Sequence, residues 1–63
     1  MKYSELEKLI NQNTNCMFYR NGKRHPIWVN LDTGKFFEMS YHRSEEVATG
    51  TLNNILKAAG IKK

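Results

Sequence analysis

The chain has 63 residues, with ten Lys and Arg against six Asp and Glu, a formal net charge of +4 and 40% apolar residues. That length excludes more than one domain, 1–63, and leaves room for a small core, because a chain of about 60 residues buries only about 60% of its unfolded surface. One cysteine, 11% aromatic residues and no apolar run near the roughly 20 residues that cross a bilayer exclude disulfide-stapled, disordered and membrane-spanning classes.

Ser4-Glu5-Leu6-Glu7 has the form of a capping box, the Ser4 hydroxyl serving the N–H near Glu7 and the Glu7 carboxylate reaching back, so a helix is predicted to start at Ser4. Leu6, Leu9 and Ile10 recur at helical spacing while Glu5, Glu7 and Lys8 face water. The polar run Asn11-Gln12-Asn13-Thr14-Asn15 is expected to end it after about two turns.

Cys16 to Arg20 and Arg24 to Asn30 are rich in aromatic and β-branched residues, with Asn21-Gly22 between them, the pair that best tolerates positive φ in a hairpin turn. Two antiparallel strands are predicted, with Leu31-Asp32-Thr33-Gly34 turning into a third over Lys35 to Ser40. Pro26 lacks a ladder donor and loosens the second strand beside His25. A two-residue turn at Asn21-Gly22 places Phe18 opposite His25; a bulged three-residue loop places Tyr19 or Met17 there, so the face carrying His25 stays open.

Tyr41 to Ala48 has no sustained period and reads as a loop, after which Thr49 is a fair N-cap. Leu52, Ile55, Leu56 and Ala59 form the stripe of a second helix, Gly60 suits a left-handed C-cap, and Ile61 supplies the apolar contact that follows such a cap. The expected fold is α+β, a two-layer α-β-β-β-α arrangement with both helices on one face of a three-stranded antiparallel sheet.

Arg20, Lys23, Arg24 and His25 fall within six positions around the hairpin, flanked by Tyr19 and Trp28. Cations for phosphates and rings for bases are what RNA recognition uses; a solvated basic turn is the plain alternative. An imidazole titrates near neutrality and can take a proton from a ribose 2'-OH or give one to a leaving 5'-oxygen, with neighbouring cations stabilising the phosphorane, so His25 is the catalytic candidate. His42 reads as a second acid–base partner, a phosphate contact together with Arg43, or a loop residue. The carboxylates offer no paired acid–base motif: Glu5 and Glu7 belong to the helix start, Asp32 to a turn, Glu45-Glu46 to the loop. Cys16, His25 and His42 lack a metal-ligand spacing, so Cys16 is expected to be a buried small hydrophobe, Met17 and Met39 core fillers, and no metal or cofactor is expected. The start Met1-Lys2-Tyr3-Ser4-Glu5 lacks the apolar stretch of a secretion signal, and a cytoplasmic protein is expected.

Gly22-Lys23-Arg24-His25-Pro26-Ile27-Trp28, Thr33-Gly34-Lys35, Tyr41-His42-Arg43 and Gly50-Thr51-Leu52 through Gly60-Ile61 resemble, in this order, the HicA family of toxin–antitoxin systems, as do Tyr3-Ser4-Glu5-Leu6 and Leu9-Ile10. The resemblance implies a double-stranded-RNA-binding-domain-like fold, metal-independent endoribonuclease cleavage of mRNA in a stress response, and neutralisation by a HicB-type antitoxin. A toxin that is monomeric alone and hetero-oligomeric with its antitoxin follows. The family's catalytic histidine falls on His25, and Arg20, Lys23, Arg24, His42 and Arg43 become the RNA contacts. Where many members have Gly-Ser-His, this chain has Lys23-Arg24-His25; where they have Pro-Arg-His, it has Ser40-Tyr41-His42, with the cation moved to Arg43. The competing expectations are a non-catalytic RNA-binding module of the same fold and a subunit that binds only an acidic protein partner.

Overall fold

The computed structural model describes residues 1–61 and follows the order α1 (Tyr3–Asn13), β1 (Cys16–Asn21), β2 (Pro26–Asn30), β3 (Phe36–Glu38) and α2 (Thr49–Ala59). The strands form one antiparallel sheet in the order β1-β2-β3, with β2 in the middle.

Helix α1 starts earlier than the Ser4 capping box predicts. Lys2 is the cap, and its N–H donates to Glu5 Oε1 at 2.9 Å. The reason lies outside the helix: the N–H groups of Tyr3 and Ser4 donate to the carbonyl oxygens of Glu45 (3.1 Å) and Arg43 (2.9 Å). Those first-turn donors are therefore satisfied by the loop before α2, and no Ser4 side-chain cap is needed. Glu7 is released from the box and pairs with Arg43 Nε at 3.3 Å. The helix also runs on to Asn13, because exposed asparagines on its outer side cost little, and it stops where the Thr14 hydroxyl and N–H both donate to the Ile10 carbonyl oxygen.

The β1–β2 hairpin differs from the predicted two-residue turn. Strand β2 begins at Pro26, which pairs with Asn21, and the connection is the four residues Gly22 to His25. Gly22 N–H donates to the His25 carbonyl oxygen at 3.0 Å, and among the described residues no non-glycine residue adopts positive φ. Gly22 is needed for space: a Cβ there would lie 2.5 Å from that carbonyl oxygen. As the first residue of β2, Pro26 gives up no ladder donor, and its carbonyl oxygen accepts from Met39 N–H at 3.0 Å. The irregularity falls on β1 instead, where the register slips between Phe18 (opposite Trp28) and Arg20 (opposite Ile27), leaving Tyr19 as the extra residue of a bulge.

Strand β3 covers Phe36 to Glu38, shorter than Lys35 to Ser40, after a turn that places Gly34 at φ 74° and closes with Gly34 N–H on the Asn30 carbonyl oxygen at 2.7 Å. Helix α2 begins at Thr49, one residue before the position that a Thr49 cap implies, with Ala48 as its cap. Its end follows the sequence reading: Gly60 is left-handed at φ 83°, and Ile61 N–H returns to the Leu56 carbonyl oxygen at 2.9 Å.

Both helices meet one face of the sheet. Leu6 and Ile10 of α1, both 0% exposed, and Ile55, Leu56 and Ala59 of α2 share a single cluster with Cys16, Trp28 and Phe37, closed by Tyr3, Met39 and Val47. The Trp28 and Phe37 rings, paired across the strands, lie 6.4 Å apart. Asn30 is buried at the far end of β2, where its Nδ2 donates to the Ala58 carbonyl oxygen (3.0 Å) and its Oδ1 accepts from Asp32 N–H (2.9 Å), tying strand, turn and α2 together. The opposite face is open. Met17, expected in the core, lies there opposite Val29 and is 51% exposed, because the register puts it out of phase with Cys16 and Phe18. Among the described residues no helix is long and apolar enough to cross a membrane.

Candidate functional site

The four-residue connection gathers the predicted basic cluster at one end of the sheet. Arg20, Lys23, Arg24 and His25 line an open pocket of about 590 Å³, completed by Gly22, Ile27 and Glu38. Two features of the fold produce this convergence. The bulge at Tyr19 sets Arg20 opposite Ile27, and Gly22 lets the chain turn back so closely that its amide meets the His25 carbonyl. Lys23 and Arg24 form no ion pair among the described residues, and Arg20 donates only to the neighbouring Asn21 carbonyl oxygen at 3.4 Å. Their charge is directed to the outside of the molecule.

His25 stands in the connection just before β2, not within a strand as expected, and its side is exposed to solvent. Besides the basic pocket it lines a second, smaller one of about 180 Å³ with Tyr3, Glu38, Met39 and Thr51, at the junction of β3 with the first turn of α2. His25 and Glu38 are the residues common to both pockets. No hydrogen bond to the imidazole is formed among the described residues. Tyr3 is core on one side and pocket wall on the other; burial, with the Glu45 carboxylate nearby, holds its phenol above the ordinary range.

Glu38 escaped the sequence reading. Its place depends on the pairing of Ile27 with Glu38, and nothing in the local sequence announces that register. Tyr41, a loop residue and part of the Tyr41-His42-Arg43 motif in sequence, has a structural role that neither reading gives it. Its hydroxyl donates to the Gly22 carbonyl oxygen at 3.0 Å and to Asn21 Oδ1 at 3.3 Å, clasping the base of the connection that carries His25.

Two predicted contacts lie elsewhere. Arg43 lines a separate pocket of about 250 Å³ beside α1 and is engaged by Glu7. His42 lines neither pocket that His25 does; its backbone N–H donates to Ser40 Oγ and its carbonyl oxygen accepts from Glu45 N–H. Trp28, expected to flank the basic cluster with a stacking surface, is 7% exposed and packed under the helices. Tyr19 keeps that capacity, 57% exposed on the open face.

Chemically, three cations around an exposed imidazole can hold a phosphodiester and move a proton at its ribose, while the Glu38 carboxylate in the same pocket opposes excess negative charge. No protein-family model, curated protein or solved structure matches the chain.

Proposed function

We propose that the protein is a metal-independent endoribonuclease of the HicA toxin type, acting on mRNA in the cytoplasm and neutralised by a HicB-type antitoxin. The observation that carries this reading is the convergence of Arg20, Lys23, Arg24 and His25 on one open pocket at the end of the sheet. The element order, with both helices on one sheet face, agrees with a double-stranded-RNA-binding-domain-like architecture, and the family resemblance of the sequence supplies the rest.

In this reading the cations seat the scissile phosphate. His25 accepts the 2'-OH proton as the 2'-oxygen attacks phosphorus, or donates a proton to the departing 5'-oxygen as the P–O5' bond breaks. Arg20, Lys23 and Arg24 stabilise the charge that grows on the non-bridging oxygens. Because Arg43 and His42 lie outside this pocket, their contribution is to RNA lying farther along the surface.

A purified His25→Ala protein, folded as judged by its thermal transition, is expected to lose cleavage of a labelled mRNA fragment while still shifting its mobility. Retention of full cleavage would overturn the assignment. A second reading, RNA binding without cleavage, is favoured by one observation: among the described residues no group hydrogen-bonds the imidazole to fix its orientation. Intact RNA after long incubation with the parent protein would select it.

A further inference from the structure

The face of the sheet turned away from the helices carries an exposed aromatic surface. Tyr19 and Phe36 are 57% and 55% exposed, with ring centroids 5.1 Å apart and planes inclined by 65°. Each ring holds the other edge to face, so little side-chain freedom is left to be lost on docking a partner. Both stand over the middle strand, where Val29 pairs with Met17 on one side and Phe36 on the other and is itself 8% exposed.

At the hairpin end this face runs into the basic pocket. Ile27 and Glu38 pair across β2 and β3 on the outer side and also line the pocket with Arg20, Lys23 and Arg24. The bulge places Arg20 next to Tyr19, so a cation and a ring stand side by side on the same surface.

We infer that this face holds an unpaired stretch of RNA, its bases stacked on Tyr19 and Phe36 and its phosphates on Arg20, Lys23 and Arg24. The strand then reaches His25 along the open side of the sheet, a role for His25 that rests on the cleavage reading, whereas the platform does not. Stacking needs free base faces, which a duplex hides, and it is tolerant of sequence because every base has a π-face. A second copy of the chain fits the face poorly: each copy carries +4, and face-to-face pairing brings the two sets of hairpin cations near each other.

The test is fluorescence anisotropy with a labelled 2'-O-methyl oligoribonucleotide, which cannot be cleaved through its 2'-oxygen, free and annealed to its complement. Tyr19→Ala/Phe36→Ala is expected to weaken single-strand binding about tenfold or more and to leave duplex binding unchanged, while Tyr19→Phe and Phe36→Tyr retain affinity. Both rings are exposed, so the variants should keep the parent's thermal transition. Parent-like single-strand binding by the double alanine variant overturns the platform, as does sedimentation of the parent as a dimer that this variant dissociates. The two readings fail separately: ring-dependent binding with no cleavage of unmodified RNA leaves the platform and removes the nuclease, whereas cleavage indifferent to the rings does the reverse.

Discussion

The Tyr41 hydroxyl donates a 3.0 Å hydrogen bond to the Gly22 carbonyl oxygen, joining the loop after β3 to the connection between β1 and β2. That carbonyl sits at the closing pair of the hairpin, opposite His25, whose own carbonyl oxygen accepts from Gly22 N–H. In the proposed cleavage Tyr41 would act on His25 through backbone, as a positioning residue. Tyr41→Phe is expected to lower the cleavage rate several-fold while changing stability by less than about 1 kcal/mol, since the bond is exposed to water. Urea titration and initial cleavage rates measure the two effects.

Gly22→Ala tests the same connection from the other side. The added Cβ would stand 2.5 Å from the His25 carbonyl oxygen, a backbone atom that cannot swing aside. Rearrangement of the connection is expected to cost roughly 1–3 kcal/mol and to reduce cleavage more strongly than Tyr41→Phe. Unchanged activity in a folded Gly22→Ala protein would show that His25 tolerates displacement.

Glu38 faces the same pocket as the three hairpin cations and His25. Removing its charge with Glu38→Gln should tighten binding of uncleavable RNA by about fivefold at low salt, the equivalent of ~1 kcal/mol for one solvent-exposed charge. A part for the carboxylate in proton transfer beside His25 predicts that cleavage falls even so. Opposite movements of affinity and rate separate these roles, and parallel movements would assign Glu38 to binding alone.

Leu6 is 0% exposed and sits where α1 meets the sheet. Truncation by Leu6→Ala removes buried area and leaves a cavity, for about 2–5 kcal/mol. A domain of this size has about 3–5 kcal/mol in total, so the variant is expected to be largely unfolded at 25 °C by circular dichroism.

Alkaline stability is expected to depend on Tyr3. Its phenol is held above the ordinary value of 10.0 in the fold by burial, then by Glu45. A group whose pKa is raised on folding contributes fully below its unfolded value and loses that contribution as pH rises through the folded one. The parent should therefore lose stability above pH 10, and Tyr3→Phe should flatten that fall. Equal slopes in denaturant midpoint against pH for the two proteins would exclude Tyr3 as the cause.

The elements themselves were legible because each has a local signal: the Leu6, Leu9, Ile10 stripe, the aromatic strands, and Gly60 followed by Ile61. What could not be read depends on partners distant in sequence. The capping box at Ser4 loses to carbonyl oxygens of Arg43 and Glu45, contributed by a loop some 40 positions away. Asn21-Gly22 resembles a tight turn in isolation, but Gly22 is kept for its closeness to the His25 carbonyl and is clasped by Tyr41, 19 positions on. The basic cluster was visible as a run in sequence and remains together for that reason, whereas Glu38 joins it only through the pairing of β2 with β3. Trp28 flanks the basic cluster in sequence, but its pairing with Phe18 and Phe37 sets it on the face covered by the helices, so it offers no stacking surface.

That bulge also determines which changes in length the hairpin can survive. Side chains alternate along a strand, so losing one residue from a regular strand transfers everything beyond it to the other side. Tyr19 is already the odd residue, and its deletion would restore ordinary alternation: Phe18 stays toward the helices, Arg20 stays outside and Asn21 still meets Pro26. Deleting Met17 instead forces a choice between Cys16 leaving the interior and the ladder slipping against β2. Strand β1 therefore has one position where shortening is benign to topology, and a variant lacking Tyr19 would present the hairpin cations on their original side with half of the aromatic pair gone.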